Sequence, residues 1–227
     1  MSARAPDILP KVSSPLPKKP TKRQELGARS RDEILNAALR IMSIYGYEGA
    51  SIARIASESG LPSSSIYWHF GSKSGVLSAV MQRGADRFFS ESGNFVDLER
   101  NSVPPRQLLR DTLRNSARSV DANPEFLRLL FLLTLSGEHD EAIQNVVRET
   151  THRGMSQLRG LIKFVYSEHG EARAEAIADR LQVFAQSVFD GAFLASQTHD
   201  GVRHVDLIDF MVDSVLALGD ALVIESA

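Results

Sequence analysis

Ser51, Ser63, Ser64, Ser65, Tyr67, Trp68, His69 and Lys73 fall within one short stretch of this 227-residue chain. Hydroxyls, an indole N–H, an imidazole and an ammonium suit the recognition of base edges and phosphates better than the making of bonds. Bond-making chemistry finds no matching pattern. There is no phosphate-cradling glycine loop, no Gly-x-Ser-x-Gly and no His-Glu-x-x-His. His139 and His152 are 13 residues apart, which does not place them on one helix face as a ligand pair. His204 with Asp206 and Asp209 imitates a metal cluster, but a solvated helix start explains the same three residues. The chain has no cysteine, which removes thiol catalysis, disulfides and cysteine-bound zinc or iron–sulfur sites. No catalytic residue, no metal and no cofactor is therefore expected.

The elements that position the polar stretch are legible. Ser51 is a good N-cap, because its hydroxyl accepts from an unpaired first-turn amide. Ile52, Ile55 and Ala56 then recur at i, i+3 and i+4, one apolar face of a short helix. Gly60 follows, where a left-handed turn is easiest. From Ser63 a second helix puts Ser63, Ser64, Tyr67 and Trp68 on one side, and Ile66, His69 and Phe70, with Ser65, on the other. The inward Ile66 and Phe70 can pack on Ile52 and Ile55. The outward side offers hydroxyls and two aromatics with polar tips, a face that fits a DNA major groove. Two helices joined by a glycine turn in this way make a helix-turn-helix. An ordinary amphipathic helix pair is the competing explanation.

The particular residues weigh against that explanation. Gly60-Leu61, Ser65-Ile66-Tyr67-Trp68-His69-Phe70 and Ser72-Lys73 resemble the DNA-binding domain of the tetracycline-repressor (TetR) family. Upstream, Arg31 to Tyr45 resembles that family's first helix, and Gly46-Tyr47 the pair that ends it. The resemblance covers roughly residues 29–90. It implies that Ser63, Ser64, Tyr67 and Trp68 face bases and that Ser51, Ser65, His69 and Lys73 hold phosphates. Two alternatives stay open: His69 as a hydrogen-bonded core histidine, and Trp68 as a packing anchor. Two departures stand out. Pro62 replaces a frequent Ser or Thr cap, which would shift the cap to Ser63. Gly75 replaces a frequent Glu, which removes the reciprocal capping-box bond that Ser72 would otherwise share.

Charge divides the chain in the same place. Residues 1–90 hold 13 Lys+Arg and 7 Asp+Glu, a net of +6, and residues 91–227 hold 13 and 21, a net of −8. A basic end joined to an acidic end fits a nucleic-acid-facing part joined to one that is not. Residues 1–28 carry five of the nine prolines and the cluster Lys18, Lys19, Lys22 and Arg23, and are expected to be a disordered basic tail. The tail is either an arm that adds phosphate contacts or an inert solvated segment. No apolar run approaches a membrane span; Leu129 to Leu135, the densest, is seven residues and includes Thr134. The N-terminus lacks a signal-peptide apolar core, so a cytoplasmic protein is expected.

The expected fold is all-α. A three-helix DNA-binding domain with a linking helix occupies residues 29–90, and a helical regulatory and dimerisation domain occupies 91–227. The first helix runs from Arg31 through an apolar stripe of Ile34, Leu35, Ala38, Ile41, Met42 and Tyr45, capped by Ser30 or Asp32 and ended by Gly46. Val76, Leu77, Val80 and Met81 carry the linking helix, and a loop is expected at 91–105. Further helices are expected near 106–122, 124–136, 139–168, 171–198 and 203–224. The last two carry the stripes Ile177, Leu181, Phe184, Ala185, Val188, Ala192 and Leu207, Phe210, Met211, Val215, Leu218, Leu222. By resemblance this pair meets its copy as a four-helix interface between two identical subunits, against the alternative that the stripes face the subunit's own core.

The resemblance also implies a small ligand inside the C-terminal helices that releases DNA. Phe126, Leu130, Phe131, Thr134, His152, Met155, Phe164, Phe189 and Phe193 are the candidate lining of an apolar pocket, against the alternative of a filled core. The expected function is a ligand-responsive transcriptional regulator, a repressor that leaves a near-palindromic duplex operator when a small apolar effector binds. A ligand-independent DNA-binding regulator, and a structural helical dimer without specific DNA binding, are the alternatives.

Overall fold

The computed structural model describes residues 21–91, 103–136 and 141–225. Among them there are nine α-helices, one 3-10 turn and no strand. The expected loop at 91–105 lies mostly outside the described residues, as do His139 and the tail before residue 21.

Helix α1 spans Lys22–Gly49. It starts well before Arg31, so residues 22–28 of the expected tail are helical. The cause is a capping box: the Gln24 amide donates to Thr21 Oγ1, and the Thr21 amide donates to the Gln24 side chain at 2.8 Å. Ser30 and Asp32, the expected caps, sit inside the helix. Ile34, Leu35, Ala38 and Met42 of the predicted stripe are buried, but Tyr45 is exposed and lies under the Arg54 guanidinium, 4.6 Å away. Gly46, with φ 68°, breaks the helical path where the sequence places its end.

Helix α2 (Ile52–Ser59) and helix α3 (Ser63–Phe70) follow, joined through Gly60 in the left-handed conformation at φ 69°. Ile55 and Ile66 are fully buried between them and α1. Helix α4 (Lys73–Glu91) buries Val76, Leu77, Val80 and Met81 against the same core, and its later turns bury Ala85 and Phe89.

Helix α5 (Pro105–Ala122) opens with a proline at its first position, where a missing N–H costs nothing. Helices α6 (Glu125–Ser136), α7 (Glu141–Val165), α8 (Glu171–Thr198) and α9 (His204–Glu225) complete the bundle. α7 packs on α8, α8 on α9 and α9 on α5, while α6 lies against α1 and α4 against α7. The helix expected over 139–168 ends at Val165. Tyr166 leaves it to bury its ring completely and donate to the Leu216 carbonyl at 2.9 Å, and a 3-10 turn at Ser167–His169 follows.

Much of the acid of the C-terminal half is paired. Arg106, Arg110 and Arg114 recur every four residues along α5, facing α9. Arg106 meets Asp220 at 2.5 Å, Arg110 meets Asp213 at 2.5 Å, and Arg114 grips both Asp209 oxygens at 2.8 Å. Asp209 thus belongs to an ion-pair ladder. Its supposed companions are also spoken for: Asp206 pairs with Arg203, and His204 is buried, not solvated as the sequence suggested. The His204 ring donates from Nε2 to the Phe189 carbonyl at 3.1 Å, and Asp121 accepts from the His204 and Val205 amides that open α9. Among the described residues no group of metal-ligating side chains is gathered.

Candidate nucleic-acid interface and inner cavity

The outer face of α3 is built as the wheel predicts. Ser64 is exposed, Tyr67 is 53% exposed and Trp68 76%. That exposure removes the packing-anchor alternative for Trp68. Pro62 takes the N-cap position without a side-chain bond, and its carbonyl accepts the Ser65 amide at 2.9 Å. The cap does not pass to Ser63. Ser63 is already the first helical residue, and its hydroxyl, like those of Ser64 and Ser65, has no partner among the described residues. These hydroxyls are therefore not consumed by the fold.

The flanking groups differ in how far they are committed. Ser51 caps α2, accepting from the Arg54 amide at 3.2 Å, which leaves its own proton to donate. His69 is half-buried and packs edge-on to Trp68 with ring centroids 4.5 Å apart. Burial first, and the nearby Arg31 second, hold its pKa below the ordinary histidine value, so it stays neutral at pH 7. Lys73 begins α4, but its ammonium is tied to the turn after α1. It donates to the Glu48 carbonyl at 3.4 Å, lies 3.8 Å from the Glu48 carboxylate and sits 4.2 Å above the Tyr47 ring.

Gly75 acquires a reason of its own. Ser72 accepts its amide at 3.0 Å, so half of the capping box survives. A Cβ at Gly75 would stand 2.1 Å from the Phe70 carbonyl oxygen. The end of α3 and the first turn of α4 are closer than a side chain permits.

The first turns of α1 also line a groove with the end of α3, where Arg23, Gln24 and Arg31 face Trp68 and His69. Sequence reasoning placed this segment in a disordered tail. The signal it passed over is Thr21 followed three residues later by Gln24.

The second site is an inner cavity of about 160 Å³ bounded by α4 to α8. Phe126, Leu130, Phe131, Thr134 and Phe189 lie on its wall. His152, Met155, Phe164 and Phe193 do not. His152 is exposed on α7 beside Ser156, and Phe193 stacks behind Phe131 at 5.5 Å. Helical period alone cannot say which side of α7 turns inward. The unforeseen wall residues include Phe88 and Phe89 from the end of α4, and Gln186 and Asp190 from α8.

Asp190 is the only ionisable side chain on that wall among the described residues. Gln186 donates to it at 2.7 Å, one helical turn away. Burial pushes its carboxyl up to about 6, against the smaller opposing pull of that hydrogen bond. The native state therefore binds the proton more tightly than the unfolded chain. The ionised group's cost is present in full above about pH 6 and fades as pH falls from there towards 4. Asp190→Asn is expected to raise stability by roughly 1–2 kcal/mol at pH 7.5, after discounting for partial exposure, and by almost nothing at pH 4. Urea unfolding at the two pH values checks this; an equal gain at both would mean that the carboxylate's charge is not its cause.

The outward faces of α8 and α9 carry Val183, Phe184, Leu194, Phe210, Leu218 and Ile224 uncovered. The predicted stripes thus split. Ile177, Leu181, Ala185, Ala192, Met211 and Val215 face the subunit's own core, while Phe184, Phe210 and Leu218 face outward.

Comparison with known proteins agrees with this architecture. The family model of the bacterial regulatory proteins, tetR family, matches residues 34–80, the stretch from the core of α1 into α4. Residues 34–80 thus match the DNA-binding domain of that family. The match makes this stretch a DNA-binding domain of the kind found in transcriptional regulators. The chain is 27% identical over 199 residues to the HTH-type transcriptional repressor AcnR of Corynebacterium diphtheriae, covering 84% of this chain and 94% of that one. It is 28% identical over 142 residues to the repressor NicS of Pseudomonas putida, covering 62% and 65%. A TetR-family transcriptional regulator from Agrobacterium tumefaciens shares its fold with a TM-score of 0.66 at 19% identity, over 83% of this chain and 98% of that one. No helix among the described residues is long and apolar enough to cross a membrane.

Proposed function

We propose that this protein is a ligand-responsive repressor that acts in the cytoplasm as a homodimer and leaves its operator when a small effector with an apolar body enters the inner cavity. The carrying observation is the double membership of α4. Its first turn is capped and packed against α3, and its later turns supply Phe88 and Phe89 to the cavity wall. An effector that holds α4 in one position therefore biases where α3 points. It acts only through its difference in affinity between the two arrangements. Two copies paired through the outward apolar faces of α8 and α9 set residues 63–69 into successive major grooves of a near-palindromic site. The relatives AcnR and NicS are named repressors, which favours repression here.

In this reading Ser63, Ser64, Tyr67 and Trp68 read bases. The outward face has no Arg, Asn or Gln for bidentate pairing, so serine hydroxyls, aromatic contact with thymine methyls and DNA shape set the preference. Ser51, Ser65, His69 and Lys73 hold phosphates, joined by the basic first turns of α1. Selection of bound sequences from random duplex DNA by the purified protein tests it. A palindromic consensus supports the reading, and no enrichment at low salt removes it. With that site in hand, Tyr67→Ala is expected to cost about 1–3 kcal/mol and relax particular base pairs, while Lys73→Ala weakens all sequences alike. Titration of matched and mismatched duplexes separates the two, and equal, sequence-blind losses would refute this division of roles.

A further inference from the structure

We propose that the effector is a small organic cation with an aromatic or apolar body, its charge against the Asp190 carboxylate and its body among Phe88, Phe126 and Phe189. The inference rests on the cavity being the effector site and names what that site selects.

Among the described residues the wall carries one carboxylate and no cation to neutralise it. Asp190 has a neutral amide, Gln186, as its hydrogen-bond partner and no ion pair among the described residues. Asp179, about three turns earlier on the same side of α8, is by contrast paired with Arg159 at 2.6 Å. A half-buried carboxylate without a counter-ion is costly, and a ligand that brings the missing charge removes that cost. Arg153 of α7 sits 4.5 Å over the Phe89 ring and is paired with Asp86. It is not on the cavity wall.

The rest of the wall suits a cation better than an anion, because its other polar side chains, Thr112, Thr151 and Gln157 among them, are neutral. The hydroxyls of Ser116, Thr134 and Thr150 donate to the carbonyls four residues back in their own helices, so they do not offer their protons to a ligand. No Lys, Arg or His among the described residues lines the space. An acidic effector would meet Asp190 without compensation. The rings of Phe88, Phe126 and Phe189 form a linked group, with Phe88 centroids 6.1 Å from Phe126 and 6.4 Å from Phe189. Aromatic faces attract a desolvated cation through their quadrupole. The volume of about 160 Å³ sets the size: an apolar cavity of about 150 Å³ holds benzene. One ring with a compact head group matches that scale.

The test uses the purified full-length chain and two probes of nearly one shape, phenyltrimethylammonium and its uncharged carbon isostere tert-butylbenzene, followed by calorimetry. The wild type is expected to bind the cation roughly tenfold or more tightly than the hydrocarbon. Asp190→Asn is expected to abolish that preference while leaving hydrocarbon binding in place. Equal or tighter binding of the hydrocarbon by the wild type, or a preference that survives in the Asn variant, overturns the cation assignment and leaves the effector cavity standing. Binding of neither probe overturns both. Should the variant not fold, the wild-type ratio alone decides.

Discussion

Gly75→Ala is expected to destabilise the protein by about 2–3 kcal/mol, although alanine is the better helix former by about 1 kcal/mol. The reason is local. Gly75 lies in the first turn of α4, and its missing Cβ is where the Phe70 carbonyl oxygen comes to within 2.1 Å. That oxygen is backbone, so no side-chain rotation relieves the clash. It also accepts the Ser72 amide at 2.8 Å, which ties the turn between α3 and α4 to the same atom. To admit a methyl group, α3 and α4 must separate, and α3 carries the face proposed to read DNA. Operator affinity is therefore expected to fall by at least roughly tenfold in the same variant, a loss of 1.4 kcal/mol or more. Gly160 in α7 is the control, because a Cβ there meets nothing within 4 Å. Gly160→Ala is expected to stabilise by about 0.5–1 kcal/mol. Chemical unfolding of the two variants side by side decides the matter. A matching gain for both would show that the α3–α4 junction has room after all.

The second large effect is expected at the other end of the chain. Gly219→Ala places a Cβ 2.1 Å from the Tyr166 hydroxyl oxygen and 2.3 Å from the ring carbon that bears it. Tyr166 is fully buried and cannot swing into solvent without giving up its bond to the Leu216 carbonyl. The expected loss is about 2–3 kcal/mol, as for other overpacked cores. Tyr166→Phe removes the nearest clashing atom and by itself costs about 1 kcal/mol in hydrogen bonding. The double variant should lose less than the sum of the two, because the atoms that collide are partly the same. Thermal or urea unfolding of the four proteins measures that coupling, and strict additivity would mean that the ring and the glycine do not meet. The effect reaches function through α9. This helix carries Phe210 and Leu218 on the face proposed to pair subunits, and its opposite face rests on Tyr166 and the arginines of α5.

The glycine effects lie beyond what a linear pattern can display. A one-dimensional reading sees Gly75 as a missing Glu and Gly219 as a small residue in an apolar stripe. Only the approach of Phe70 and Tyr166 shows why a side chain is excluded. The same limit governs the cavity. Five of nine proposed lining residues lie on its wall, all from the apolar faces of α6 and α8, where period and hydrophobicity agree. His152 and Met155 lie off that wall because α7 has apolar and polar residues on more than one side, and the side that turns inward is set by α8 and α4. Asp190 was passed over because a carboxylate in a helix reads as solvent-facing until the neighbours that cover it are in place.

The sequence by itself determined the class and the framework: helices with a 3.6-residue apolar stripe, the Ser51 cap, the Gly46 and Gly60 breaks, and the outward set Ser63, Ser64, Tyr67 and Trp68. These are local properties, written in residues a few positions apart and governed by period, capping and backbone freedom. It also divided a basic half from an acidic one. Tertiary structure decided which side of each stripe faces the core or the outside, that Asp190 and not His152 is the polar point of the cavity, that His204 is buried, and that Lys73 leans on Tyr47 and Glu48. Those facts depend on contacts between residues far apart in the chain. Burial, counter-charges and close approaches are properties of the packed neighbours and not of the residue that feels them.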